Sequence, residues 1–398
     1  MGPLRDLVCP PYDVISAEEQ KQLYERHPYN AVRIELPFST SGTPTERYVK
    51  AAIEFRQWLE RGVLVVDDAP CMYVYRQDFV TPEGRRARVE GVVGALRLEE
   101  YGFDSGVLPH EHTMPGPIED RLALLRACPV NISPIYAIYR GGGRLAPYFD
   151  SLASRPPDAR FTDDGGTLHR VWAIRSRAEI DLVADAVRPG PLVIADGHHR
   201  YETALAYHVE QDGLPGGHDA VMTFCVDADA EDLVVFSFHR AVRSRLASTE
   251  VRDRLLRRFG AQPLNAQAPR TALIDSRGDH PMVFVLPDQN LLVEVGAGEV
   301  DARLPERSPA WRSLDVVALH EVVLPEIFPE GMEHLHFTRD PDEVYRLVRE
   351  RSYSGGVLLR PLKAGDVIDV ARSGERMPQK ASYFWPKAVT GLVFRTLR

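Results

Sequence analysis

A short apolar run at residues 192–195 leads directly into residues 196–200, which read D-G-H-H-R, and this junction constrains the fold more than any other part of the chain. An apolar run of this length is typical of a strand in the middle of a sheet. Gly197 allows a close backbone turn, and a helical pattern follows it. The junction therefore predicts a strand–turn–helix unit built on a buried strand.

The start of such a helix favours anions, because its first amide N–H groups have no intrahelical acceptor and lie at the positive end of the helix dipole. An arginine adds a planar fork for phosphate oxygens, and histidines can donate as well. We predict that Gly197, His198, His199 and Arg200 bind a phosphate group. Asp196 is a candidate catalytic residue, suited to a substrate hydroxyl or to Mg²⁺ through water. Alternatively, Asp196 only caps the helix and both histidines are packed or exposed.

A second polar segment lies at residues 109–113, which read P-H-E-H-T. Two histidines two positions apart in an extended loop can point the same way and share a metal, with Glu111 as a base. The helical zinc motif H-E-x-x-H does not occur in the sequence. His110 and Glu111 are therefore candidate catalytic residues, and the alternative is a solvated polar loop.

The third segment is marked by lysine, which occurs at only five positions. Two of them, Lys380 and Lys387, lie in an aromatic stretch that Pro378 and Pro386 keep from forming a long helix. Ammonium groups beside stackable rings suit a nucleotide or another phosphorylated ligand. The alternative is a surface loop whose aromatic side chains pack inward.

Composition excludes several classes of protein. The net charge of −9 disfavours nucleic-acid binding. No run reaches the roughly 18 apolar residues of a membrane helix. The four cysteines are far apart, as in proteins with reduced thiols, so we predict a cytoplasmic protein without a membrane anchor. Neither a P-loop nor a G-x-G-x-x-G fingerprint is present.

Alternating short strands and helices, with hairpins between them, predict an α+β fold of mixed sheets and packed helices. The length predicts two domains, and we place the boundary between residues 244 and 245. Domain 1–244 would hold the phosphate site, and domain 245–398 would complete it. Locally, the pattern predicts a strand at 31–36 and a helix at about 45–61.

Several dispersed motifs give the chain a resemblance, over essentially its whole length, to the bacterial and archaeal "domain of unknown function 1015" family. The matching segments are P-P-Y-D-V-I at 10–15, L-P-H-E-x-T at 108–113, Asp120-Arg121, A-D-G-H-H-R-Y at 195–201, Met377-Pro378-x-Lys380, Tyr383-Phe384-x-Pro386-Lys387 and Gly391-Leu392. Members usually carry more residues before the first motif, so the resemblance implies a shortened or misassigned start. The resemblance implies a family but no activity.

Residues 190–210 alone are similar to the phosphate-binding box of the ParB/sulfiredoxin-like superfamily, which includes partition proteins, sulfiredoxins and free-serine kinases. That resemblance implies a strand–loop–helix core in which residues 196–200 contact nucleotide phosphates. The kinases of the group use a glutamate base. In this chain Glu111 is the first candidate for that role and Glu35 the second.

These observations predict a nucleotide-dependent enzyme, a phosphotransferase acting on a small hydroxyl-bearing molecule such as an amino acid or polyol. It would use ATP, ADP or CTP with Mg²⁺ bound through the phosphates, and Lys380 and Lys387 would steady the transferred group. One alternative is a metal-dependent hydrolase or phosphatase in which four residues bind a transition metal: His110, His112, His198 and Asp196. Another is a non-enzymatic, ParB-like nucleotide-binding protein. The oligomeric state is open.

Overall fold

The structure is a computed structural model that describes residues 2–38, 45–102, 105–211, 215–264 and 269–397, with the side chains of 269 and 270 excepted. The chain forms two compact units. The first comprises Met1–Leu233 together with Pro386–Arg398, and the second comprises Val234–Trp385. The expected boundary between residues 244 and 245 falls inside the second unit, and separately folding domains remain a prediction.

The first unit holds most of the motifs identified in the sequence. Its helices are α1 (Ala17–Arg26), α2 (Val32–Glu35), α3 (Glu46–Glu60), α4 (Pro115–Ala127), α5 (Ala146–Ala153), α6 (Arg177–Val187) and α7 (His198–Glu210). Its strands are β1 (Met72–Val80), β2 (Arg86–Arg97), β3 (Val107–Pro109), β4 (Val130–Asn131), β5 (Ile135–Tyr139), β6 (Ala159–Thr162), β7 (Leu168–Ile174), β8 (Leu192–Asp196), β9 (Ala220–Asp227) and the last strand, Arg395–Thr396.

Eight of these strands form one mixed sheet, in the order β3-β8-β5-β9-β2-β1-β7-β6. β8 pairs in parallel with β3 and antiparallel with β5, so the apolar run of 192–195 has a neighbour on each side, as predicted. Helix α7 packs onto it, since Tyr201 is fully buried in one cluster with Ile135 and Ile194. The strand–turn–helix unit predicted from the sequence is thereby confirmed.

The strand expected at residues 31–36 is wrong, because this segment is the short helix α2. The side chain of Asn30 explains the difference: its Oδ1 accepts the N–H of Val32 at 3.0 Å and its Nδ2 donates to the carbonyl of Val8. Such a local side-chain bond starts a helical turn in spite of a period-two pattern. The helix expected at 45–61 is confirmed as α3.

The second unit is built around a six-stranded antiparallel sheet of order β12-β14-β13-β16-β11-β15, with β10 and β17 paired separately. Its strands are β10 (Val234–Ser237), β11 (His239–Arg243), β12 (Gln262–Leu264), β13 (His280–Val285), β14 (Asn290–Val295), β15 (His334–Thr338), β16 (Gly355–Leu359) and β17 (Ser382–Trp385). Its helices are α8 (Ser248–Phe259), α9 (Pro269–Asp275), α10 (Ala297–Arg303), α11 (Pro309–Arg312), α12 (Asp315–Val317), α13 (Leu324–Ile327), α14 (Pro341–Arg349) and α15 (Ala364–Arg372). With this unit numbered, the strand Arg395–Thr396 of the first unit is β18.

Both units combine sheets with helices, and the predicted α+β class is confirmed. Among the described residues, every helix is too short or too polar to cross a lipid bilayer.

Candidate functional site

The turn between β8 and α7 requires a glycine. Gly197 has φ +91°, in the left-handed region that side chains rarely adopt, and a Cβ there would lie 2.9 Å from the Arg200 guanidinium. The backbone therefore passes directly from Asp196 into a helix of 13 residues. The first amides of this helix have no intrahelical acceptor, which leaves a site suited to an anion.

Asp196 is held between two cations. Its Oδ2 accepts from Arg200 at 2.7 Å, and its Oδ1 accepts from the Lys387 ammonium. The Asp196 side chain is 14% exposed, and each cation is 11% exposed. Burial acts to raise the pKa of Asp196, but the charges of Lys387 and Arg200 outweigh it and the pKa is lowered. Asp196 is therefore an ionised, weakly basic carboxylate, better suited to positioning the two cations than to accepting a proton.

The two lysines of the C-terminal segment lie in different units. Lys387 belongs to the first unit, where Gln77 also binds its backbone carbonyl at 3.0 Å. Lys380 belongs to the second unit, where its ammonium lies 5.5 Å from the ring centroid of Phe238. Of the pair predicted to bind phosphate, the structure brings Lys387 to Asp196. For Lys380 that role stays a prediction.

The loop after β3 covers the first turn of α7, so two motifs some 85 residues apart in sequence meet. The backbone N–H of His110 donates to Nε2 of His198 at 3.2 Å, and that of Met114 donates to Nε2 of His199 at 2.9 Å. A ring nitrogen that accepts an N–H carries no hydrogen, so the hydrogen of each neutral ring lies on Nδ1. The loop thereby fixes the tautomer of both histidines.

His110 is fully buried and neutral. Its Nδ1 lies 2.5 Å from the carbonyl oxygen of Ile194, and since a carbonyl only accepts, Nδ1 carries the hydrogen. Burial, assisted by the charge of Lys387, lowers the pKa of His110 to about 4. The unprotonated Nε2 lies 3.8 Å from Oε1 of Glu111, whose side chain is partly exposed. At neutral pH the His110 ring is thus an uncharged neighbour of Glu111.

A second glutamate reaches the site through a hydroxyl. Glu35 is 3% exposed, and Ser133 donates to its Oε1 at 3.1 Å. The same hydroxyl accepts from Arg200 at 3.1 Å, and Arg200 also donates to the carbonyl of Pro134 at 2.6 Å. Arg200 therefore joins Asp196 on one side to Ser133 and Glu35 on the other, and its orientation is fixed by three protein groups.

Two further motifs converge on these residues. Arg121 donates to the backbone carbonyl of Glu35 at 2.6 Å, and its guanidinium lies 4.4 Å from the ring centroid of Tyr12. Burial raises the pKa of Tyr12 to about 12. Loss of hydration beside the surrounding protein and the negative charge of Asp196 raise the pKa of Asp13. The segments 10–15 and 120–121, on which the family resemblance rests, thus contribute to the site.

A small cavity of about 60 Å³ lies beside Arg200 and is lined by Glu35, Ser133 and Thr203 as well as apolar side chains. The hydroxyl of Thr203 is buried and has no hydrogen-bond partner within the described residues. Buried hydroxyls are normally hydrogen-bonded. The cavity therefore has room, and an unsatisfied polar group, for water or a small polar fragment.

The four residues of the hydrolase alternative are not gathered into a metal site. Nδ1 of His110 is occupied by a carbonyl, Nε2 of His198 accepts an amide, both oxygens of Asp196 accept from cations, and His112 is exposed. Among the described residues, one group of three histidine and carboxylate side chains does lie close enough together to hold a metal ion. That group includes none of these four residues.

Sequence reasoning missed two contributors. Ser133 and Thr203 carry no motif, because a lone hydroxyl residue in an apolar context has no distinguishing pattern. Tyr12 and Arg121 lie in short polar motifs at a strand end or helix start, which caps and ordinary salt bridges explain equally well. From the sequence alone, Asp13 is explained equally well as a turn residue. The structure shows that it lies close enough to Asp196 for the two charges to interact.

A family model described as "Protein of unknown function (DUF1015)" matches residues 2–317. No curated protein matches the chain. Among solved structures, the chain is similar to "Free serine kinase in complex with AMP", at 14% identity over 74% of this chain and 87% of that chain, with a TM-score of 0.35.

The chain is also similar to SbnI with a C-terminal truncation from Staphylococcus aureus, at 10% identity over 77% of this chain and 87% of that chain, with a TM-score of 0.39. A conserved hypothetical protein from Pyrococcus furiosus is 11% identical over 75% of this chain and 97% of that chain, with a TM-score of 0.34. All of these likenesses are distant, so the functional interpretation depends on the geometry of the site.

Proposed function

The chain belongs to the DUF1015 family, whose description states no activity, and we propose that it is a nucleotide-dependent phosphotransferase acting on a small hydroxyl-bearing metabolite. An amino acid or a polyol is the acceptor class that we favour. The proposal rests on the cations and the helix start around Asp196.

The observation that supports it best is the charge balance at the start of α7. Two nearly buried cations, Arg200 and Lys387, share the single carboxylate of Asp196. Both cations lie beside the amides that follow Gly197, where the helix dipole is also positive, and the carboxylates of Asp13 and Glu35 interact with Arg200 from further away. A phosphate group is the ligand that uses both features, through amide N–H groups and charge-assisted hydrogen bonds.

In the proposed reaction, the amides at the start of α7 hold the phosphates of the nucleotide. The acceptor hydroxyl oxygen attacks the terminal phosphorus; a new O–P bond forms and the P–O bond to the nucleotide breaks. The hydroxyl proton passes to a glutamate carboxylate. Arg200 and Lys387 stabilise the charge that develops on the transferred group and on the leaving nucleotide.

Two glutamates are candidates for the proton acceptor, and their surroundings differ. Glu111 is partly exposed beside the neutral ring of His110, so water and a substrate both have access to it. Glu35 is buried, bonded to Ser133, and lines the small cavity next to Arg200. Glu111 remains the first candidate, and Glu35 is the alternative that the cavity supports.

A Mg²⁺ ion, when bound, would neutralise phosphate charge and is commonly held mainly by the phosphates themselves. The residues present fit that mode rather than a direct one. Both oxygens of Asp196 accept from cations, so Asp196 offers little to a metal. Asp13, whose charge interacts with the same group of residues, is the carboxylate that could contact the ion.

The first experiment is a binding and turnover screen. The purified protein is mixed with ATP, ADP or CTP and Mg²⁺, and thermal shifts are recorded. Turnover is then followed with pools of amino acids and polyols. We expect one nucleotide to stabilise the protein and one acceptor class to be phosphorylated. Absence of both with every nucleotide would overturn the proposal, whereas binding without transfer would leave a non-enzymatic nucleotide-binding protein.

The second experiment tests whether the Lys387 ammonium contributes to nucleotide binding. Lys387→Met removes a charge-assisted hydrogen bond, which contributes about 1.5–3 kcal/mol, so nucleotide affinity should fall by about 10- to 100-fold. Lys21→Met is the matched control, because Lys21 is exposed on α1. Equal affinity in the two variants would remove Lys387 from the site.

The third experiment separates the two glutamates. Loss of a general base lowers turnover by about 100-fold or more and leaves nucleotide binding largely intact. Glu111→Gln and Glu35→Gln are therefore compared for kcat and nucleotide affinity, with Glu83→Gln in the exposed β1–β2 turn as control. The variant that loses kcat alone identifies the base. If neither does, the proposed proton transfer is wrong.

A further inference from the structure

The far end of α7 carries a second cluster of metal-ligating side chains. His208 lies near the C-terminal end of the helix, and His218 and Asp219 lie in the 3-10 turn Gly217–Asp219 that precedes β9. Because a helix rises about 1.5 Å per residue, His208 lies about 15 Å along the axis from His198. The cluster is thus separate from the candidate phosphate site.

The three side chains present their ligand atoms to one another. Nδ1 of His208 lies 3.2 Å from Nδ1 of His218 and 3.3 Å from Oδ1 of Asp219, and the remaining side of the triangle is 3.5 Å. Bonds of about 2.0–2.1 Å at tetrahedral angles place the ligand atoms of a zinc ion about 3.3–3.4 Å apart. The triangle therefore has the size of one face of a tetrahedral zinc centre.

Hydrogen bonding among the described residues satisfies this arrangement only in part. Oδ1 of Asp219 is buried and has no hydrogen-bond partner within the described residues. The other carboxylate oxygen accepts the N–H of Gly216 at 3.3 Å. A buried acceptor left without a donor costs free energy. The two facing imidazole nitrogens are within hydrogen-bonding distance of each other, so without a metal one of them can donate to the other. A cation placed there would satisfy all three atoms.

The nearby positive charge does not occupy the position. The Arg395 guanidinium interacts electrostatically with Asp219, and burial lowers its pKa. Its Nη1 donates instead to the carbonyl of Ala220 at 2.9 Å and to Asn131 at 3.4 Å. Arg395 will weaken cation binding somewhat through repulsion, but it makes no hydrogen bond with the ligand oxygen.

We propose that His208, His218 and Asp219 form a zinc site, with water or an exogenous ligand at the fourth position. Two imidazoles and one carboxylate match the ligand types of mononuclear zinc centres that keep an open position. The ion would fasten the C-terminal end of α7 to the turn before β9. The proposal does not depend on the function proposed for the other end of the helix.

The test uses the whole chain, dialysed against a chelator and then against buffer. Zn²⁺ is titrated by calorimetry, the bound metal is counted by mass spectrometry, and Co²⁺ is used as a spectroscopic probe. We expect one Zn²⁺ per chain and the intense visible absorption of tetrahedral Co²⁺. Binding of less than one equivalent, or an octahedral Co²⁺ spectrum, would overturn the proposal without any variant.

Variants then assign the ligands. Loss of a group that only supports a ligand weakens metal binding about 10- to 100-fold, so His208→Ala, His218→Ala and Asp219→Asn should each lose at least that much. Circular dichroism checks that each variant is folded.

Two controls should bind Zn²⁺ like the wild type. His334→Ala removes an exposed histidine of β15, and Glu210→Gln alters an α7 carboxylate that is paired with Arg126. Undiminished binding in the two histidine ligand variants, or equal losses in the controls, would show that the ion is held elsewhere.

Discussion

The two ends of α7 use the same residue types in opposite ways. At the N-terminal end, Nε2 of His198 and of His199 each accept a backbone N–H, so these nitrogens already have protein partners. At the C-terminal end, Nδ1 of His208 and of His218 face each other and a carboxylate. The residue name thus predicts neither role. The atoms that each ring nitrogen faces decide between holding a loop and holding a metal.

The carboxylates differ in the same sense. Asp196 has a cation on each oxygen, whereas Oδ1 of Asp219 is buried without a donor. At the N-terminal end the carboxylate is therefore satisfied within the protein, and two cations and a helix start lie beside it, as suits an anion. At the C-terminal end one buried carboxylate oxygen has no donor among the described residues, and it lies beside two ring nitrogens that suit a cation.

The largest expected effect compares these two carboxylates directly. Asp196→Ala leaves two nearly buried cations without their partner and should cost about 3–5 kcal/mol of unfolding free energy. Asp219→Ala, measured without metal, should cost only about 0.5–1.5 kcal/mol, because its Oδ1 has no bond to lose and its Oδ2 loses the single hydrogen bond from Gly216. Urea denaturation of both variants is the measurement. Similar losses of unfolding free energy in the two variants would show that the two carboxylates do not differ in this way.

The next effect concerns pH. The pKa of His110 is lowered to about 4 by burial, so the unfolded chain binds more protons than the folded one below about pH 6.5. Stability is therefore lost as pH falls, and between pH 7 and pH 5 His110 alone should cost about 2 kcal/mol. His110→Asn should show a pH dependence smaller by that amount in urea denaturation. An unchanged pH dependence would mean that the ring is not kept neutral by burial.

The smallest effect tests the turn that separates β8 from α7. Gly197→Ala places a side chain in the left-handed region, which costs about 1–2 kcal/mol, and brings its Cβ against Arg200. Gly298→Ala is the control, since Gly298 lies in α10 and an added Cβ would meet open space. This variant should unfold with a free energy about 0.5–1 kcal/mol higher than that of the wild type. If both substitutions have the same sign in urea denaturation, the turn does not require glycine.

Much of the N-terminal end of α7 could be predicted from sequence, because strong local signals specify it. The apolar run of β8, the glycine and the polar first turn follow one another without interruption. The α+β class follows from similar short-range patterns. Lys387 was identified through its motif, and its contact with Asp196, 191 residues away, needed the tertiary structure.

The parts that could not be predicted depend on single side chains acting over long separations. Residues 31–36 alternate like a strand, but the carboxamide of Asn30 starts a helix there and carries Glu35 into the interior. Ser133 links Glu35 to Arg200 with no surrounding pattern. His208 and His218 have glycines and a proline between them in the sequence, and only the tertiary structure shows that their ring nitrogens meet.

The last residues of the chain return to the first unit after the second has been completed. On the ribosome, residues 234–385 are synthesised between Asp196 and Lys387, so the nascent chain can form β8 and α7 long before the second cation exists. Contacts of such large sequence separation form late in folding. A product that stops before residue 386 would keep the turn and the helix but leave Asp196 with Arg200 alone. The full set of contacts among Asp196, Arg200 and Lys387 can therefore form only in chains that have been translated through residue 387.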